Sequence, residues 1–437
     1  MTRVLLSRKT TVYYGAAIGP LAIVGLPFTV YLPPYIAEGG VVAVGLVGLL
    51  FSICTLWDGV VDPLIGNMID RVSAGPAPHR RWMRIAVAPI ALLLALIVLV
   101  GDTLPFALLL LVMVVFYSSS SLFDVAHLSW GAALANSSDA NSPDNSSRVF
   151  GARELGAKTI LIAAFAAPAL AQFLIPGLSL QGRIIAYASL FLFAMPLALW
   201  AIARIPARAV IPEPGIGWRG EIMQTLSFRP FLALIIVQIL SSFAFGALTS
   251  LFIFFADGTL KLDNRSALLL FGTFIGGALF TPMWTALARH FGKPRMMIAM
   301  ALWLVCILGG SLLYLPQGLI QSIIFSTLVG SGFASLIFIH GMVADLAPLD
   351  RARCGRDRTA LLYAIINVVQ KIGSALAIAL CYALLDWFGF DPKLATASSD
   401  IIHWLFVGLP ALSWSIMCLF LLYLMHEPTL ALRPISD

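Results

Sequence analysis

The sequence predicts an all-α integral membrane protein of twelve transmembrane helices, arranged as two six-helix halves (1–204 and 229–437) around a connector at 205–228. Three observations predict it. Hydrophobic residues make up 60% of the 437 residues and charged residues only 11%, where a soluble chain carries about a quarter. Mean hydropathy is +0.95. Twelve apolar runs are each long enough to cross a hydrocarbon layer of about 30 Å, and the basic residues cluster in alternate loops.

The first six runs lie at 12–37, 41–69, 85–101, 104–134, 149–176 and 183–204. The second six lie at 229–256, 266–289, 296–315, 317–347, 358–387 and 401–425. Pro20, Pro27, Pro33 and Pro34 predict a bent first span, because each proline removes a backbone donor. The connector contains IPEPGIGW, too irregular to span. GNMIDRVSAGPAPHRR after the second run and LARHFGKPR after the eighth occupy corresponding places, which supports related halves. The loop after the tenth run, DRARCGRDR, is also basic.

Of the 27 Lys and Arg residues, Arg183, Lys261, Arg265 and Lys393 fall in the opposite loops, and Arg153, Lys158 and Lys371 within spans. The rest lie in the termini and the loops after even-numbered runs. Both termini are therefore expected in the cytoplasm, in a cell (inner) membrane. The basic start, MTRVLLSRKT, precedes no short apolar region with a cleavage site and is read as mature. The charge pattern is that of membrane loops, not of a nucleic-acid surface. The five cysteines (Cys54, Cys306, Cys354, Cys381, Cys418) suggest no disulfide. The NSS triplets at Asn136 and Asn145 read as solvated loop residues. With no P-loop, no Cys/His metal cluster and no G-x-S-x-G, no enzyme and no cofactor are expected.

The stretch TLWDGVVDPLIGNMIDR, 55–71, organises the rest. Asp58 and Asp62 stand four apart, on one helix face about one turn from each other. One acid at bilayer depth costs roughly 2.5–3.5 kcal/mol on insertion scales. A bound cation, a proton or a basic residue from another helix must compensate them; the competing reading is a buried salt bridge that fixes packing. In the fourth run Ser121, Asp124 and His127 follow one another at helical spacing. Arg153 in the next run is a candidate partner for Asp124. Arg153 with Glu154 reads equally as a packing pair near a cytoplasmic end, and Lys158 as a snorkelling residue. His340 reads as structural, and a packed role for His127 competes with a proton relay.

These residues carry a resemblance. WDGVVDPLIGNMIDR followed by HRRW resembles the second helix and following loop of the glycoside–pentoside–hexuronide:cation symporters, typified by melibiose permease, of the major facilitator superfamily. YYGAAIG (13–19), FDVAHLSW (123–130), SSRVFGARELG (146–156), MVADL (342–346) and CGRDRTALLYAIINVVQKIGSALA (354–377) match in order. The resemblance implies the major facilitator fold and cation binding, sodium tentatively, by Asp58 and Asp62, with Ser121 and Lys371 beside them. It implies sugar contacts from Asp124 and Arg153, with His127, Leu128 and Leu21 lining the pocket. Gly66, Asp70, Arg71, Arg80 and Arg81 look like the superfamily's conformational loop motif. Three positions depart from the pattern. Pro20 or Leu21 stands for a sugar-binding acid, Leu128 for a stacking aromatic, and Val61 for a polar residue between the two acids. The expectation is a symporter, working as a monomer by alternating access, that couples sodium or a proton to a small organic solute, glycoside-like or less polar and amphiphilic. A proton-driven exporter using His127 and the acids as relay, and a non-transporting scaffold, are the alternatives.

Overall fold

The computed structural model describes residues 7–24, 32, 35–36, 41–42, 44–72, 78–135, 143–174, 180–205, 218–261, 266–388 and 399–426. Pro27, Pro33, Pro34, Asn136, Arg265, Lys393 and connector residues 206–217 lie outside the described residues. The described elements are all helical. The first run is split into α1 (Arg8–Ala17) and α2 (Gly19–Val24). Then come α3 (Val44–Val72), α4 (Pro78–Val100), α5 (Phe106–Ala135), α6 (Pro143–Leu174) and α7 (Leu180–Arg204). The connector contributes a short helix, α8 (Trp218–Leu226). The remaining helices are α9 (Arg229–Phe254, continued by a π turn to Thr259), α10 (Ser266–Phe291), α11 (Lys293–Leu313), α12 (Gly318–Gly330), α13 (Ser335–Cys354), α14 (Thr359–Trp387) and α15 (Ser399–His426).

Twelve spans are expected from the sequence; the described residues hold ten helices, or helix pairs, long and apolar enough to cross a membrane. The two not among them are the first run, of which residues 25–31 and 33–34 lie outside the described residues, and α6, a continuous helix of 32 residues. α12 and α13 count as one stretch, Gly318–Cys354, joined by a 3-10 turn at Ser331–Ala334. α4 begins at Pro78, so Arg80 and Arg81 sit in a helical first turn rather than in the expected loop. Prolines inside the long helices (Pro63, Pro89, Pro196, Pro282, Pro348, Pro410) are tolerated, as in other membrane helices, because neighbours re-satisfy the freed carbonyls.

The chain forms two compact units: Met1–Met223 with Ala347–Ile365, and Gln224–Leu346 with Ile366–Asp437. In the first, α1 and α2 pack on α6 and α7, α3 on α5, and α4 on both α5 and α7. In the second, α15 packs on α9 and α11, and α10 on α12. Lipid tails are as apolar as leucine, so burial alone does not hold such helices together; close van der Waals approach does. Gly156 of α6 shows it: a Cβ there would overlap the carbonyl of Gly15 on α1. Gly276 of α10 and Gly330 of α12 do the same in the second unit, against the carbonyls of Thr327 and Thr273. In that unit Lys293, the first residue of α11, is buried and ion-paired with Asp345 of α13.

Candidate functional site

α3 carries Leu50, Cys54, Asp58 and Asp62 at four-residue steps, on one face. Leu50 and Cys54 are fully buried, Asp58 is partly buried, and Asp62 is 1% exposed. α5 meets this face with four consecutive serines. Ser118, Ser119 and Ser120 donate back to the carbonyls of Val114, Val115 and Phe116 at 2.7, 2.8 and 2.9 Å. Ser121 instead donates to Oδ1 of Asp58. Nε1 of Trp57 donates to Oγ of Ser118 at 2.8 Å and ties the two helices beside that bond.

One turn further along α5, Asp124 accepts from Nη2 of Arg153 on α6. Nη1 of Arg153 lies 3.2 Å from Oε1 of Glu154. Side-chain exposure is 9% for Arg153, 4% for Glu154 and 23% for Asp124, so the pair opens on the Asp124 side. Nε of Arg153 is buried with no hydrogen-bond partner among the described residues. Two opposed acids thus hold a guanidinium that retains an unspent donor, an arrangement suited to a hydroxyl-bearing solute.

His127 is 0% exposed and bound to α1. Its Nε2 lies 3.0 Å from the carbonyl of Tyr14, whose hydroxyl donates to the carbonyl of His127 at 3.0 Å, and the two rings stack at 4.1 Å. A carbonyl only accepts, so Nε2 carries a proton and donates it to Tyr14. Leu128 is fully buried and Leu21 half-buried against the core of this unit. Lys371 lies on α14 in the second unit and is half-buried. His340 is 3% exposed. Among the described residues no group of three His, Cys, Asp or Glu could hold a metal ion.

Gly66, Asp70 and Arg71 build a clasp at the end of α3. Oδ1 and Oδ2 of Asp70 accept the N–H groups of Ala360 and Leu361 at 3.0 and 2.9 Å. These are first-turn amides of α14, which have no intrahelical acceptor, and the helix dipole favours a carboxylate there. Gly66, one turn earlier, permits the approach: a Cβ would lie 2.8 Å from the carbonyl of Ala360. Arg71 donates to Asn67 at 3.0 Å and lies 3.9 Å from Glu221 of α8. Glu221 also takes Arg356 at 2.8 Å and Arg358 at 3.5 Å, and Arg358 grips Asp350 through two bonds of 3.0 and 2.6 Å. Burial opposes the charge on Arg358, but Asp350 and Glu221 more than offset it and hold the guanidinium above its usual pKa. Sequence reasoning missed Tyr14, Glu221, Asp350 and the paired role of Arg356 and Arg358; DRARCGRDR signalled only a basic loop.

Replacing Asp70 with Ala is expected to cost about 2–3 kcal/mol, the range of charge-assisted hydrogen bonds at a buried helix end. Thermal unfolding reads the loss, and faster hydrogen exchange at the Ala360 and Leu361 amides locates it. Unchanged protection of those amides would show that water or another group caps α14 equally well.

A profile described as MFS/sugar transport protein matches residues 13–426. The protein called "Uncharacterized symporter YjmB" of Bacillus subtilis (strain 168) is 22% identical over 386 residues, 85% of this chain and 82% of that protein. In fold, the chain is similar to FucP, a major facilitator superfamily transporter in the outward conformation. The TM-score is 0.67 at 14% identity, over 94% of this chain and 98% of that one. A bacterial homologue of the iron transporter ferroportin, outward-facing with soaked iron, gives 0.62 at 15% identity, over 96% and 99%. The chain belongs to the MFS/sugar transport protein family: it is a multi-span, all-α membrane protein of the major facilitator superfamily, a secondary transporter that moves a solute across the membrane, not an enzyme.

Proposed function

We propose that this transporter is a cation-coupled symporter of the glycoside–pentoside–hexuronide type, with twelve spans in two six-helix halves and both termini in the cytoplasm. It works as a monomer by alternating access. Asp58, Asp62 and Ser121 bind the coupling ion, sodium or a proton. Asp124 and Arg153 bind a small organic solute, glycoside-like or less polar. One observation carries the reading: Ser121 turns from its own helix to Asp58, while Asp62 lies buried one turn further along α3. Two carboxylates and a hydroxyl form a hard-oxygen donor set, by analogy with other hard cations. The solute pair stands one turn away on α5, so an ion at Asp58 reaches it through one helix. Coupling between ion and solute is then reciprocal. The name of the Bacillus relative, a symporter, agrees with this direction.

Lys371 enters this reading through the sequence resemblance alone. The burial of His127 and its bond to Tyr14 speak against its use as a proton relay, so export by that route is the weaker reading.

The test is cation binding to the purified protein without solute. Tryptophan fluorescence, to which Trp57 beside Asp58 contributes, is followed during sodium titration at several pH values. A saturable response, competed by protons and absent from the D58N/D62N variant, is expected. A proton-dependent response indifferent to sodium selects the proton as coupling ion. No response to either, from folded protein, would sink the proposal.

A further inference from the structure

With both termini in the cytoplasm, the cytoplasmic ends of α4 and α7 form a basic seam, of which only Arg80 belongs to the loop motif and none to the proposed ion and solute sites. Arg80 and Arg84 stand at i and i+4 on α4, and Arg204 closes the last turn of α7. Nη2 of Arg80 donates to the carbonyl of Ile205 at 2.6 Å and stitches the two helix ends together. Nε of Arg80 is buried and has no hydrogen-bond partner among the described residues. The guanidinium of Arg204 lies over the ring of Trp200, 5.2 Å from its centroid, and Trp200 meets Tyr13 edge to face at 5.3 Å.

Among the described residues, the four helices that surround the seam, α1, α2, α4 and α7, contain no Asp or Glu. Of the acids on the next helices, Asp124 and Glu154 are engaged by Arg153. Arg84 and Arg204 are exposed. Immediately toward the membrane the same helices present bare apolar side chains, among them Ile85 at 46%, Leu197 at 68% and Trp200 at 50% exposure. Positive charge in cytoplasmic loops is general in membrane proteins. Three guanidiniums on one helix seam, with an unspent buried donor, an interfacial tryptophan and an apolar wall, are more specific.

We infer that this seam binds the phosphate headgroup of an anionic phospholipid. The phosphate bridges Arg80, Arg84 and Arg204, Trp200 sits at the ester level, and the acyl chains lie along the exposed faces of α4 and α7. Basic pockets between membrane helices recognise acidic headgroups in this way, and interfacial tryptophan favours that depth.

The experiment uses the full chain in neutral detergent, titrated with dioleoylphosphatidylglycerol, dioleoylphosphatidylethanolamine or glycerol 3-phosphate, with the apparent affinity read from the rise in Tm. Phosphatidylglycerol is expected to raise Tm saturably. The R80Q/R84Q/R204Q variant is expected to bind it at least about tenfold more weakly, since each basic residue near an anionic surface contributes roughly fivefold. The charge-matched R229Q/R289Q/R295Q control is expected to bind as the parent does. R84Q alone, at an exposed side chain, is expected to lose about fivefold and guards against misfolding of the triple variant. Equal loss in the control would reduce the effect to general surface charge and overturn the site. Equal binding of phosphatidylethanolamine would also overturn it, as would binding of glycerol 3-phosphate as tight as that of the lipid.

Discussion

Replacing Arg153 with Gln is expected to destabilise the protein by about 3–5 kcal/mol, the usual cost of removing one partner from a buried ion pair. The substitution strands two acids at once. Glu154 is 4% exposed and Asp124 23%, and both are in contact with the guanidinium. Neutralising the whole group, D124N/R153Q/E154Q, is expected to restore most of the stability, because uncharged residues of similar volume escape the desolvation cost. Thermal unfolding of the purified variants supplies the comparison. Transport separates the two roles that a buried ion pair can play. If the pair only holds α5 against α6, the neutral triple variant transports normally. If, as proposed, Asp124 and Arg153 grip solute, the triple variant is stable and fails to accumulate it. Restored uptake would therefore return the pair to packing and remove the solute site from this face of α5.

What the sequence makes legible, and what it hides, follows from the range of each interaction. Composition and run length are summed over about twenty residues, so the multi-span helical character is plain. The spacing of Asp58 and Asp62 is local, and α3 indeed carries both on one face. The four serines at 118–121 look alike in sequence. Only the packing of α5 on α3 distinguishes Ser121, whose neighbours spend their hydroxyls on their own helix. The residue pattern set Ser121 at helical spacing from Asp124 and His127; its place beside Asp58 came from the resemblance. Glu221 was hidden for a different reason. Its partners lie 135 and 137 residues away, so no local pattern announces them. The clasp of Asp70 on α14 was hidden likewise, since backbone amides have no sequence signature at all.

Asp62→Asn is expected to abolish sodium binding, by 100-fold or more (about 2.7 kcal/mol or more), while leaving the ion-free protein as stable as the parent or more so. The opposite signs follow from one fact: Asp62 is 1% exposed at a level of α3 where an acid is costly. A charge held there one turn from Asp58 bears desolvation and like-charge repulsion, and in the proposed reading a bound cation offsets both. Removing it relieves the ion-free state and takes from the cation half of its countercharge. Asp58→Asn is expected to lose binding to a similar extent with a smaller gain in stability, since Asp58 is partly exposed and already receives a hydrogen bond from Ser121. Ser121→Ala removes one neutral ligand and is expected to weaken binding only about fivefold, near the net worth of a single hydrogen bond of about 1 kcal/mol. Sodium titration and thermal unfolding of the three variants, with and without sodium, give the ranking. An Asp62→Asn protein that is markedly less stable than the parent without sodium would mean that Asp62 is already neutralised by a fixed partner. The acids would then serve packing, and the coupling ion would have to be sought elsewhere in the chain.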